Sequence, residues 1–127
     1  MSTCIFCDKV ASGEALLQNE LAIAFFDSFP VSRGHVLIIP RRHAETFFDL
    51  TDDELVAMKH LAFEVKSLLD EQFHPDGYNI GLNCREAGGQ TVFHCHMHVI
   101  PRYKGDVPDP TGGVRTILPG GNYRKKL

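Results

Sequence analysis

Long apolar runs are missing from this sequence. LAIAFF, from Leu21 to Phe26, falls far short of the ~20 consecutive apolar residues that a membrane-spanning helix needs. The opening MSTCIFCDKV also lacks the basic segment, apolar core and small-residue cleavage site of a secretory signal. Together these absences predict a cytoplasmic protein with no membrane partner. In that reducing compartment Cys4, Cys7, Cys84 and Cys95 are not expected to form disulfides. Positive charge is scarce too: 13 Lys and Arg stand against 16 Asp and Glu, for a formal net charge of −3, and basic residues form no stripe beyond Arg124-Lys125-Lys126. This excludes the concentrated cationic face that grips duplex nucleic acid. A small anion held by histidines and backbone amides stays open as a ligand.

Repeats and low-complexity tracts are absent as well, and no linker interrupts the chain before about residue 104. At 127 residues and 43% apolar, the sequence can build one core and is too short for two ordinary domains. One domain is expected over residues 1–127, with its core at about 3–103. LLQNELAIAFFD reads as two short strands bending at Asn19-Glu20, and HVLIIP (His35 to Pro40) as a third, stopped by proline. Pro30, Ser32, Arg33 and Gly34 supply the turn between them.

From Thr51 the period changes. Leu55, Met58, Leu61, Ala62, Val65, Leu68 and Leu69 recur at spacings of three and four, the stripe of an amphipathic helix. Thr51 and Glu54 make a capping box, Leu50 and Leu55 are placed for a hydrophobic staple, and Pro75 and Gly77 stop the helix. YNIGLNC (Tyr78 to Cys84) and HCHMHVIP (His94 to Pro101) read as two more strands. The fold class predicted is α+β, an antiparallel sheet with one main amphipathic helix on a face. Residues 104–127, rich in Gly, Pro and Asp, are expected to extend over a surface or a partner.

HCHMHVI places His94, His96 and His98 on one side of a strand, with Cys95, Met97 and Val99 on the side that belongs against the helix. A solvated polar face would draw on Thr, Lys, Glu and Ser rather than three histidines. Three ligands to one metal would be strained, because the outer imidazoles start ~13 Å apart. The third reading is catalytic. Neutral imidazole attacks near pH 7 and leaves again, and its charged form balances an anion, so a row can divide these roles around its middle member, His96. The preceding AGGQTV offers close backbone approach at Gly88 and Gly89, amides that can face an oxyanion, and the Thr91 hydroxyl.

GGQTVFHCHMHVI resembles the signature of the histidine triad (HIT) family, and AFFDSFPVSRGHVLIIPRRH resembles that family's upstream segment. The resemblance covers roughly residues 3 to 103. It implies that His96 is the nucleophile toward an α-phosphorus and forms a nucleotidyl-histidine intermediate. By the same resemblance His98 contacts the phosphate, His94 and His35 support the nucleophile, and Asp27 binds the ribose hydroxyls. Asn83, Gly89, Gln90 and Thr91 fall at substrate-binding positions, and Phe6, Phe26 and Ile38 near the base pocket. A homodimer with joined sheets is implied, and the Pro108–Leu127 segment is placed to reach the other protomer's pocket.

The branch is mixed. Asn83 resembles phosphoramidate hydrolases, whereas PRYKGD resembles the dinucleoside polyphosphate hydrolases. The leading expectation is a hydrolase releasing AMP from a diadenosine tetra- or triphosphate-like substrate. The alternatives are a nucleoside phosphoramidate hydrolase, or a nucleotide-binding module with vestigial catalysis. Cys4 and Cys7 have the C-x-x-C spacing of half a structural zinc site, or form a plain apolar cluster with Ile5 and Phe6. Family members that begin with CIFC complete such a site with positions equivalent to His43 and His94, so a structural zinc is implied and no organic cofactor.

Overall fold

A computed structural model describes residues 3–121; the Arg124-Lys125-Lys126 end lies outside them. In chain order the elements are helix α1 (Ile5–Ser12), strands β1 (Leu17–Gln18), β2 (Ala22–Phe26) and β3 (Val36–Pro40), helix α2 (Asp52–Phe73), and strands β4 (Gly77–Leu82) and β5 (Met97–Arg102). Short 3-10 turns occupy Phe47–Asp49, Glu86–Gly88 and Gly113–Ile117. The strands form one antiparallel sheet in the order β1-β2-β3-β5-β4. The expected α+β architecture is present, with the strand that carries His98 near its middle.

Both faces of β2 and β3 are covered, as the burial of all of β3 and of Ala22 to Phe25 in β2 shows. Ala22, Ala24, Val36, Ile38, Cys95, Met97 and Val99 pack with Ala57, Met58, Leu61, Val65 and Leu69 of α2. Each large apolar side chain so buried contributes ~1.5–3 kcal/mol. On the opposite face Ile23, Phe25, Leu37 and Ile39 pack with Phe6 of α1. The two sets alternate along each strand, as a period of two requires.

α2 starts as the sequence predicts. The Thr51 hydroxyl accepts from Glu54 N–H at 3.1 Å, and the Glu54 carboxylate accepts from Thr51 N–H at 2.9 Å. Its buried stripe is the expected one at Met58, Leu61, Val65 and Leu69, with Ala62 and Leu68 packed beside it, but Leu55 is 37% exposed while Ala57 and Glu54 are buried. Glu54 tolerates burial because Arg42 donates two bonds to it, at 3.0 and 2.8 Å. This pair ties the loop after β3 to the helix start. Although α2 spans 22 residues, no helix among the described residues is long and apolar enough to cross a membrane.

Other boundaries differ from expectation. β4 ends at Leu82 instead of Cys84, and β5 begins at Met97 instead of His94, because Cys95 N–H donates to Ala44 O at 2.7 Å and leaves the strand ladder. Helix α1 was not expected. Cys4 starts it by accepting from Cys7 N–H through Sγ at 3.3 Å, and Gly13 ends it at φ 74°. The tail is less extended than predicted. Asp106 is held by Arg102 at 2.7 and 2.8 Å, and the Gly113–Ile117 turn lies against β4 of its own chain.

Candidate active site and metal centre

The hydrogen bonds around the histidines fix which ring nitrogen holds each proton. His96 Nδ1 lies 2.8 Å from His94 O; a carbonyl only accepts, so Nδ1 carries the hydrogen and Nε2 keeps its lone pair. His94 Nε2 donates to Pro40 O at 2.8 Å, so its bare nitrogen is Nδ1. Val31 N–H donates to His35 Nδ1 at 3.2 Å, putting the His35 proton on Nε2, which meets His98 Nδ1 at 2.9 Å. His98 therefore holds its own proton on Nε2. Burial pushes the His98 imidazole down to about 4, helped by His96 and His35 and opposed by Asp27. Burial also lowers His35 against the pull of Asp27, and lowers His94 against the Pro40 carbonyl. These three rings are neutral at pH 7.

The turn that delivers His35 is tightly made. Gly34 adopts φ 86°, and a Cβ there would stand 3.0 Å from the Phe73 ring. Ser32 Oγ donates to Pro101 O and Tyr103 OH to Arg33 O, both at 2.8 Å, pinning this turn to β5 and the residue after it. Asp27 joins the same group. Its Oδ1 accepts from Phe29 N–H at 2.9 Å and its Oδ2 lies 3.5 Å from His35 Nε2.

Asn83, Gly89 and Thr91 are exposed on the loop before the triad. Gly89 adopts φ 92°, beside the Asn83 side chain. Gln90, expected to bind substrate, is instead built into the fold. Its Nε2 donates to Glu45 O at 2.6 Å and Val92 O at 3.1 Å, and its Oε1 accepts from Arg85 N–H at 2.7 Å. A buried amide without such partners would be costly, so this residue holds the loop's shape. The amides of Gly88, Gly89 and Gln90 also donate within the loop, to Arg85 O and Glu86 O. Thr91 lines a cleft with Cys4, Ile5, His43, Val92 and Phe93.

The base-pocket assignment needs correction by one residue. Ile38 is fully buried against α2, and Phe26 pairs with Phe73 at 6.3 Å on that same side. Phe25 and Leu37 occupy the histidine face with Phe6, whose ring stands edge-on to Phe25 at 5.7 Å and to His96 at 5.1 Å. Parity held the missed signal: Phe25 alternates with Asp27, and Leu37 with His35, so these four share a face.

Cys4, Cys7, His43 and His94 bring four ligand atoms within 4.8 Å of one another. Cys7 Sγ lies 3.2 Å from His43 Nδ1 and 3.5 Å from His94 Nδ1, which is 3.4 Å from Cys4 Sγ. The residues fit zinc: two thiols and two imidazoles suit its tetrahedral preference, and the His94 nitrogen facing them is the unprotonated one. Asp27, His35 and His98 cluster as closely. There the facing His35 nitrogen carries the proton, so that cluster is a hydrogen-bond relay.

The model of the family described as "HIT domain" matches residues 8–105. An uncharacterized HIT-like protein of Mycoplasma genitalium is 42% identical over 106 residues, covering 81% of this chain and 75% of its own. A bis(5'-adenosyl)-triphosphatase of Dictyostelium discoideum is 35% identical over 97 residues, 76% of this chain and 65% of its own. The crystal structure of a Zn-bound histidine triad family protein from Mycobacterium smegmatis superposes with a TM-score of 0.75 at 32% identity, over 84% of each chain. With the triad, its Gly-rich loop and the sheet that carries them all in place, this chain belongs to the HIT domain family.

Proposed function

We propose that the protein is a nucleotidyl hydrolase that cleaves a diadenosine polyphosphate at the α-phosphate and releases AMP through a nucleotidyl-His96 intermediate. The observation that carries this reading is the bond from His96 Nδ1–H to His94 O, which leaves Nε2 with its lone pair for attack. Nε2 forms a bond to the α-phosphorus as the bond to the leaving phosphate breaks. Water then attacks the same phosphorus, the N–P bond breaks, and AMP departs with His96 restored. The His98 Nε2–H is a donor for a phosphate oxygen, its orientation held by His35. Asp27 accepts from the ribose hydroxyls, and Phe6, Phe25 and Leu37 line the purine. Asn83, Gly89 and Thr91 surround the phosphates.

The chain works as one domain over residues 1–127, in a cytoplasmic homodimer. Cys4, Cys7, His43 and His94 would hold a zinc whose bonds act as a structural crosslink, with no open position for water. The exposed Asn83 amide beside Gly89 favours a second reading with the same chemistry, in which the leaving group is an amine. Steady-state rates on diadenosine tri- and tetraphosphate against an adenosine phosphoramidate decide between them. Release of AMP from none of these would refute the enzyme and leave a nucleotide-binding module. Protein quenched in alkaline denaturant, where the N–P bond survives, should carry AMP on His96 by peptide mass spectrometry.

A further inference from the structure

Phe6 is the one residue of α1 that is buried, and it touches both halves of the site. Its ring stands edge-on to His96 at 5.1 Å, to His94 at 6.0 Å and to Phe25 at 5.7 Å. In sequence it sits between Cys4 and Cys7, the two thiols of the metal cluster. The remaining attachment of α1 is slight. Val10 packs at the margin of the Phe6 cluster and Lys9 Nζ lies 5.1 Å from the Phe25 centroid. Side-chain hydrogen bonds also join this segment to the rest of the described fold, from Cys4 and Cys7 to His94 and His43. An eight-residue helix has little stability of its own. Its position on the sheet must come from what holds its ends.

We infer that a metal held by Cys4, Cys7, His43 and His94 controls nucleotide affinity by keeping the Phe6 ring, already assigned to the purine, seated against His96 and Phe25. This rests on the nucleotide reading above. With metal bound, both thiols are fixed and the ring between them closes one side of the nucleoside site. Without it, α1 is held by the packing of Phe6 and Val10, the Lys9–Phe25 contact and weak thiol–imidazole hydrogen bonds, and the ring leaves its seat for part of the time. The metal thus acts on nucleotide affinity through an aromatic side chain that is not a ligand. Affinity then follows metal occupancy at a cluster whose His43 is exposed.

The test is a cycle on the full chain. AMP affinity is measured by calorimetry, and amide hydrogen exchange over residues 5–12 is followed, in zinc-loaded and chelator-treated protein. Wild type should bind AMP roughly tenfold more weakly after chelation, with faster exchange in α1. Phe6→Ala should bind about as weakly with zinc as wild type does without it, and chelation should change it less than about twofold. Phe6→Leu provides the same comparison should Phe6→Ala fold poorly, and Phe6→Tyr should restore both affinity and chelator sensitivity. Equal losses on chelation in wild type and Phe6→Ala would overturn the inference, since the metal would then act through His94. Unchanged exchange over α1 would overturn it too. No AMP binding by zinc-loaded wild type would overturn the nucleotide reading, and this one with it.

Discussion

His35 and His98 meet nitrogen to nitrogen at 2.9 Å, and the proton between them belongs to His35 because Val31 occupies its other nitrogen. Replacing His35 by Ala removes the donor and lets the His98 ring choose either tautomer. We predict a fall in kcat of about tenfold or more with little change in AMP affinity, since the second imidazole is lost as a defined donor. Steady-state kinetics on a diadenosine polyphosphate check it. An unchanged kcat would mean that the pair has no part in turnover.

His96→Ala should lower turnover by at least about a thousandfold while AMP still binds, because the attacking nitrogen goes but the ribose and base contacts stay. Labelled AMP, retained by wild type quenched in alkaline denaturant, should no longer remain on this variant. Turnover within about tenfold of wild type, ~1.4 kcal/mol in barrier, would exclude the covalent route.

Stability should fall with acid well before the carboxylates titrate. The His98 pKa drops from 6.5 in the unfolded chain to about 4 in the fold, so between these values the unfolded state binds a proton that the native state does not. The unfolding free energy then decreases as pH falls from about 6.5 toward 4, by up to ~1.4 kcal/mol per pH unit for this group. His35, lowered by its own burial, acts in the same direction. Urea titrations at stepped pH should show the slope, and His98→Asn should flatten it. Equal slopes in the two proteins would contradict the assignment.

Metal analysis of protein purified without chelator should find about one zinc per chain. Cys4→Ser with Cys7→Ser should abolish it and lower the melting temperature by several degrees, as expected when ligand binding is linked to folding. Well-folded, metal-free wild type that gains no stability from added zinc would leave the two cysteines as packing residues.

In solution the protein should sediment at about twice the mass of its 127-residue chain. The motivation is the homodimer that the sequence resemblance implies and the strand β4, which ends the sheet with one side unpaired among the described residues. A single species at the monomer mass at micromolar concentration would count against it.

Much of this was readable because the strand signal is strong where both faces are buried. The β2 and β3 segments, the α2 cap at Thr51 and the separation of Cys95, Met97 and Val99 from the histidines all follow from period and capping chemistry. Phe26 and Ile38 were misplaced because unbroken apolar runs hide their parity; only the polar residues at their ends, Asp27 and His35, mark which face is which. α1 escaped notice because a short helix capped by a thiol carries no Ser, Thr, Asp or Asn signal. Gln90 was misread because its partners, Glu45 and Arg85, are backbone groups whose positions depend on the whole fold.

The place of β5 in the sheet has a consequence for how the molecule is made. It is the last strand among the described residues, yet it lies between β3 and β4, pairing Leu37 with His98 and Gly81 with that same histidine. During synthesis the first three strands and α2 can gather while the inner edge of β3 stays open, with Val36, Leu37 and Ile38 lacking their β5 partners. An open apolar edge of this kind invites pairing with another chain, so the nascent protein is most exposed to aggregation just before residues 97–102 leave the ribosome. The same late pairing costs loop-closure entropy and slows folding. Because His98 rides on the closing strand, burial of the edge and assembly of the histidine row happen in one event, and a chain stalled short of it has neither.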